Sequence, residues 1–105
     1  MKGDRLGEFE ELTLLAICAL EHPVYGVPIQ EFVEEMTGRD VTMGAVYAAL
    51  DRLEEKGFVR SEFGEPTAER GGKAKRLFDI TPLGTRTLKE LRATRERIWR
   101  VIQER

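Results

Sequence analysis

A chain of 105 residues with 17 Lys and Arg against 19 Asp and Glu, a net charge of −2, describes one domain with a modest core, of a size at which a second copy supplies further burial. Its single cysteine, Cys18, excludes a disulfide framework or a cysteine ligand set, and no apolar run reaches the roughly 20 residues that span a bilayer. With no basic segment leading into an apolar stretch at the N-terminus, the expectation is a cytoplasmic homodimer without membrane, metal or cofactor. The charge is unevenly spread. Residues 1–41 carry three basic and nine acidic side chains, residues 81–105 seven basic and three acidic, and four basic residues crowd into 70–76. Any phosphate contact is therefore local.

Residues 1–7 have no periodicity and read as a flexible arm. From Glu8 to Glu21 the pattern is helical, with Phe9, Leu12, Leu15, Ala16 and Ala19 on one face. Leu14, Ile17, Cys18 and Leu20 fill much of the remaining circumference, so this helix needs cover on more than one side, and Cys18 reads as a buried structural thiol. Pro23 and Gly26 mark a turn that holds His22, read as a solvated residue because there is no second histidine to join it. A second helix spans residues 27–37, with Ile29, Phe32, Val33 and Met36 at core spacing, and ends at Gly38. Four residues on, Thr42 caps a third helix that Gly57 closes in a left-handed conformation. Its inner face is Val46, Ala49, Leu50 and Leu53; its outer face is Gly44, Ala48, Asp51, Arg52 and Glu55. Small residues at the start of that outer face and acidic ones at its end suit a helix that enters a groove by its N-terminal end. Two helices joined by a short glycine-containing turn make a helix-turn-helix.

After Gly57 the period changes to two. Phe58–Phe63 and Arg76–Ile80 alternate as short strands, joined by a Gly- and charge-rich segment, residues 64–75. This is a β-hairpin whose tip carries Arg70, Lys73 and Lys75, next to Arg76. In isolation such a run is as well read as a solvated loop, but after a helix-turn-helix it is a wing. Thr81 then caps a final helix with Pro82 at its first position. Leu88, Leu91, Ile98, Trp99 and Ile102 form a stripe along it, interrupted by Arg95, which calls for a carboxylate partner or the edge of a seam. The predicted fold is mainly α with a small β-hairpin: an arm (1–7), a winged helix-turn-helix (8–81) and a C-terminal dimerisation helix (82–105).

These residues resemble the PadR family of bacterial transcriptional regulators in its short single-domain form. The likeness covers about residues 9–88. It rests on Tyr25-Gly26 before the second helix, on GAVYAALDRLEEKGFV at 44–59 and on GGKAKRLFDITPLG at 71–84. It implies a winged-helix dimer that binds pseudo-palindromic double-stranded operators, usually as a repressor, and leaves them on meeting a small molecule or another signal. Thr42, Met43, Gly44 and Tyr47 fall on the family's major-groove positions, Gly72, Lys73, Lys75 and Arg76 on its wing, and Tyr25 joins the DNA-binding set. Arg52 adds a possible base-edge donor by its own chemistry. Three departures from the family pattern are Ala45 in place of a hydroxyl residue, Ala74 in place of a proline and Leu77 in place of an aromatic.

Two aromatic residues keep alternative readings. Tyr47 is a DNA reader or a brace beside Met43. Trp99 is an anchor of the dimer seam or one wall of a pocket for a small planar effector, with Leu88, Leu91, Arg95, Ile98 and Ile102 around it. The competing function is a winged-helix protein-interaction module, suggested by the net negative charge and by Asp51, Glu54 and Glu55 on the third helix. An enzyme is not expected, since one His and one Cys in different contexts make no catalytic set.

Overall fold

The computed structural model describes residues 5–64 and 75–105. Helix α1, Glu8–Ala19, starts with three glutamates in its first turn, at the positive end of the helix dipole. It buries Glu10, Thr13, Leu14, Ala16 and Ile17, while Leu15, Cys18 and Ala19 are exposed and Phe9 and Leu12 half-buried. The leading face of the sequence reading is thus mostly the outer one, and the buried-thiol expectation for Cys18 is corrected. In a helix apolar nearly all round, periodicity cannot rank the faces. The helix ends one turn before His22. That imidazole is not merely solvated: its Nδ1 lies 3.2 Å from the carbonyl of Ile17 and 3.1 Å from that of Leu20, so the proton it donates caps the end of α1.

Helix α2, Gly26–Thr37, buries Ile29 and Val33 and stops at Gly38, whose φ of 71° is left-handed. Two side chains of α2 fix the turn that follows. Gln30 Nε2 donates to the Val41 carbonyl at 2.7 Å, and the Glu34 carboxylate accepts from the Val41 N–H at 3.0 Å. Helix α3, Met43–Glu55, then begins as expected, with Thr42 Oγ1 accepting from the Ala45 N–H at 3.1 Å. It ends as expected too, with Gly57 at φ 81°. Val46, Ala49, Leu50 and Leu53 are buried and the outer face is exposed.

Strands β1, Val59–Phe63, and β2, Arg76–Ile80, pair antiparallel in a register that sets Val59 opposite Ile80 and Phe63 opposite Arg76. The turn before α2 joins them: Val24 exchanges both backbone hydrogen bonds with Phe78, at 2.9 and 2.8 Å. Phe78 is fully buried and shares one core with Leu14, Ile17, Ile29, Val46, Leu50 and Leu53. This completes a winged helix-turn-helix.

Helix α4 spans Pro82–Gln103, about 33 Å at 1.5 Å per residue. Thr81 Oγ1 accepts from the Gly84 N–H at 3.1 Å and donates to the Gly57 carbonyl at 2.7 Å, so one hydroxyl links the start of α4 to the end of α3. Gly84 sits against the Phe58 backbone. Leu88 is buried and Leu91 half-buried; every later residue of α4 is exposed.

Arg5, Leu6 and Gly7, assigned to the arm, are tied down. Leu6 packs against the core, the Arg5 carbonyl accepts from Lys56 Nζ, and the Gly7 N–H donates to Glu10 Oε1 at 3.3 Å. Residues 1–4 lie outside the described residues.

Candidate nucleic-acid interface

The N-terminal half of α3 presents Gly44, Ala45 and Ala48 to solvent. Side chains this small let a helix backbone come close to another surface. Thr42 is exposed beside them, and its hydroxyl oxygen serves as the cap while its proton stays available to donate.

Tyr47 leans back from this face. Its ring packs against Phe78 at 6.2 Å between centroids and 53° between planes, and a Cβ at Gly26 would come within 2.8 Å of its hydroxyl. Tyr47 is thus a brace between α2, α3 and β2, yet 37% of it remains exposed. Tyr25 stands beside it, equally exposed, with Lys75 Nζ 4.7 Å above its ring centre, a cation–π contact. Together with Gly26, Val27, Pro28 and Arg76 these residues line a cleft of about 310 Å³. Two phenolic hydroxyls and an ammonium group at one cleft are donors suited to a phosphate.

Among the described residues, the other cations expected to meet DNA, Arg52 and Arg76, are paired within the chain. Arg52 turns back to α1, its Nε donating to Glu10 Oε2 at 2.8 Å. Glu10 also receives Lys56 Nζ at 2.7 Å, and its side chain is only 8% exposed. Burial pushes the Glu10 carboxyl up, but the hydrogen bonds from Lys56, Arg52 and the Gly7 backbone outweigh it and hold the pKa below its ordinary value. Arg76 reaches Asp51 at 2.9 Å and Glu54 at 2.6 Å. Gly72 and Lys73, with Arg70, lie outside the described residues.

The second set of predicted residues gathers along α1 and α4. Leu88 closes the core. Arg95 finds the carboxylate it called for, with Nη2 3.1 Å from Glu11 Oε1. Ile98, Trp99 and Ile102 are 57, 59 and 48% exposed. Leu15, Leu88, Arg95 and Trp99 border a cleft of about 300 Å³ between the two helices. On the other side of Leu15, Leu12, Ala19, Phe32 and Met36 form a second apolar groove of similar size, between α1 and α2.

Sequence reading missed Glu10, Gln30, Lys56 and Ser61. Only Glu10 left a signal: it falls in step with Thr13, Leu14 and Ile17, the spacing of a buried helix face. Among the described residues no three His, Cys, Asp or Glu side chains gather as for a metal, and no helix is long and apolar enough to cross a membrane.

The family model described as the transcriptional regulator PadR-like family matches residues 14–90. The chain belongs to the PadR-like family of transcriptional regulators. An uncharacterized 37.1 kDa protein in a transposon of Streptomyces fradiae is 37% identical over 76 residues, which are 71% of this chain and 20% of that protein. The chain thus spans about a fifth of that relative's length. A PadR-like transcription factor from Bacteroides fragilis superposes with a TM-score of 0.76 at 23% identity, over 91% of this chain and 87% of that one. A protein of Thermoplasma acidophilum described as a transcriptional regulator gives a TM-score of 0.71 at 26% identity, over 89 and 87%.

Proposed function

We propose that this PadR-like chain is a homodimeric, sequence-specific DNA-binding repressor that a small planar effector or another signal releases from a pseudo-palindromic operator. The observation that carries the reading is the pairing of the small, exposed N-terminal face of α3 with the adjoining cleft of Tyr25, Tyr47 and Lys75. The small face enters the major groove, and the cleft grips the backbone beside it. Thr42 on this face and Tyr47 at the adjoining cleft are the side chains with polar atoms to offer, so base readout is sparse. Half-site spacing and duplex shape then supply the selectivity.

The dimer is supported by two apolar surfaces on one chain, the outer stripe of α4 and the groove between α1 and α2. The end of α4 leaves its own body, so a partner's groove is where its apolar residues find cover. A C2 arrangement satisfies both copies at once. The effector reading is supported by Trp99, which offers a ring to stack on beside the cleft with Leu15 and Leu88.

The experiment is duplex binding against salt, comparing the DNA upstream of the protein's own gene with scrambled DNA of equal length. The upstream duplex is expected to bind far more tightly, with affinity falling steeply as salt rises, by about one unit of log-log slope per phosphate-contacting cation. If neither duplex binds at low salt, the competing reading as a protein-interaction module takes over. What favours that reading is the acidic end of α3, with Asp51 and Glu55 exposed.

A further inference from the structure

The Arg76 side chain is held by three hydrogen bonds and an aromatic ring. Nη1 donates to Asp51 Oδ1 at 2.9 Å, Nη2 to Glu54 Oε1 at 2.6 Å and Nε to Ser61 Oγ at 3.2 Å. Ser61 Oγ in turn lies 2.9 Å from both oxygens of Glu54. Beneath the guanidinium lies the ring of Phe78, its centre 4.9 Å from Cζ. One residue of β2 thereby gathers two residues of α3, one of β1 and the aromatic that supports Tyr47. Its side chain is 26% exposed. Burial opposes the charge, and the bonds the guanidinium donates to Asp51 and Glu54, with their negative charges, more than restore it, raising the pKa above the ordinary arginine value.

Three of the five guanidinium N–H groups make these bonds, and a phosphate reaching the other two would lie beside the Asp51 and Glu54 carboxylates. Those carboxylates would repel it, and displacing either one would trade a short charge-assisted bond for a carboxylate without its cation, close to the incoming anion. Arg76 also stands where the paired strands end, opposite Phe63. From that position the clamp fixes the direction in which the hairpin leaves α3.

We propose that Arg76 is a positioning residue for DNA binding and not a phosphate contact, and that Asp51 and Glu54, although acidic, strengthen binding by holding it. This rests on the DNA-binding reading above. The clamp sets the angle between hairpin and recognition helix, and with it the spacing between the two surfaces that meet one half-site. Lysine would keep the charge and lose the planar three-way grip.

The test uses the full chain with the upstream and scrambled duplexes, and the variants Arg76→Lys, Arg76→Met and Asp51→Asn, each checked for an unchanged helical circular dichroism spectrum. Both Arg76 variants are expected to weaken upstream-duplex binding by roughly tenfold, with the salt slope unchanged. Asp51→Asn is expected to weaken it several-fold. A phosphate contact gives the opposite pattern: Arg76→Lys binds nearly as wild type, Arg76→Met lowers the slope by about two per dimer, and Asp51→Asn binds more tightly. Any of these three results overturns the proposal. Amide hydrogen exchange on DNA-free protein keeps this separate from failure of the DNA reading. Arg76→Met is expected to speed exchange at Glu62, Gly64 and Leu77, the ladder amides on either side of it, by roughly tenfold, and unchanged rates refute the clamp even if no duplex binds the wild type.

Discussion

Replacing Glu10 by Gln tests the link between α1 and α3. The carboxylate is 8% exposed and takes Arg52 at 2.8 Å, Lys56 at 2.7 Å and the Gly7 N–H at 3.3 Å. Removing one member of a fully buried ion pair costs about 3–5 kcal/mol. Here Arg52 is half in water, and the Gln carbonyl can still accept one donor, so the expected loss is about 1–2 kcal/mol. At about 4–8 °C per kcal/mol for a domain of this size, the melting temperature falls by roughly 5–15 °C.

The pH dependence gives the stricter check. Because the folded-state pKa of Glu10 lies below its ordinary value, its contribution is fully present above the unfolded carboxyl range, near pH 4.5. It is lost as pH falls through the folded value. Thermal unfolding followed by circular dichroism, at one protein concentration because association adds to apparent stability, should show a clear gap between wild type and Glu10→Gln at pH 7. That gap should close toward pH 3. An equal gap at both pH values, or none at pH 7, would refute the ionic account of this site.

Gly84→Ala should lower stability although alanine favours helices by about 1 kcal/mol. A Cβ there overlaps the Phe58 carbonyl oxygen and comes within 2.8 Å of Ile80 Cγ1, so a net loss of about 2 kcal/mol is expected in thermal melts; a melting point at or above wild type would contradict the close approach. Ile98→Glu changes a side chain 57% exposed in the single chain, so each chain is expected to keep its fold while the proposed dimer dissociates. Sedimentation of the variant at the wild-type dimer mass would remove Ile98 from the seam.

The fold was legible wherever its signals are local. Thr42, Gly57, Thr81 and Pro82 mark helix ends through backbone groups one to three residues away, and each stands where the sequence puts it. The change of period after Gly57 likewise separates α3 from β1. The inner face of α3 was legible because its apolar residues fill one side only. α1 has no such contrast, and its faces had to be ordered by what packs against them. The turn between α2 and α3 shows the same limit in another form: glycine announces it, but Gln30 and Glu34 hold it from 11 and 7 residues away.

The candidate site was legible as a list of residue types, not as a distribution of charge. Arg52 and Arg76 look like DNA contacts because cations near a recognition helix are the usual phosphate partners. A sequence shows which residues are charged but not which lie within 3 Å of one another. In the fold, Arg52 serves Glu10 and Arg76 serves Asp51 and Glu54. The same pairing weakens the objection from net charge. Glu10, Glu11, Asp51 and Glu54 each spend their charge on a cation of their own chain, so the excess of acid over base says little about the field at the N-terminal end of α3. Beside it stands Lys75, over Tyr25 at the edge of the cleft. Among the described residues its ammonium meets only a ring face, so a phosphate arriving at Tyr25 adds a partner to Lys75 without taking one of these away. At Arg76 the same arrival meets the Asp51 and Glu54 carboxylates. This difference makes Lys75 the residue to neutralise when the salt slope is in question, and Arg76 the one to alter when the geometry is.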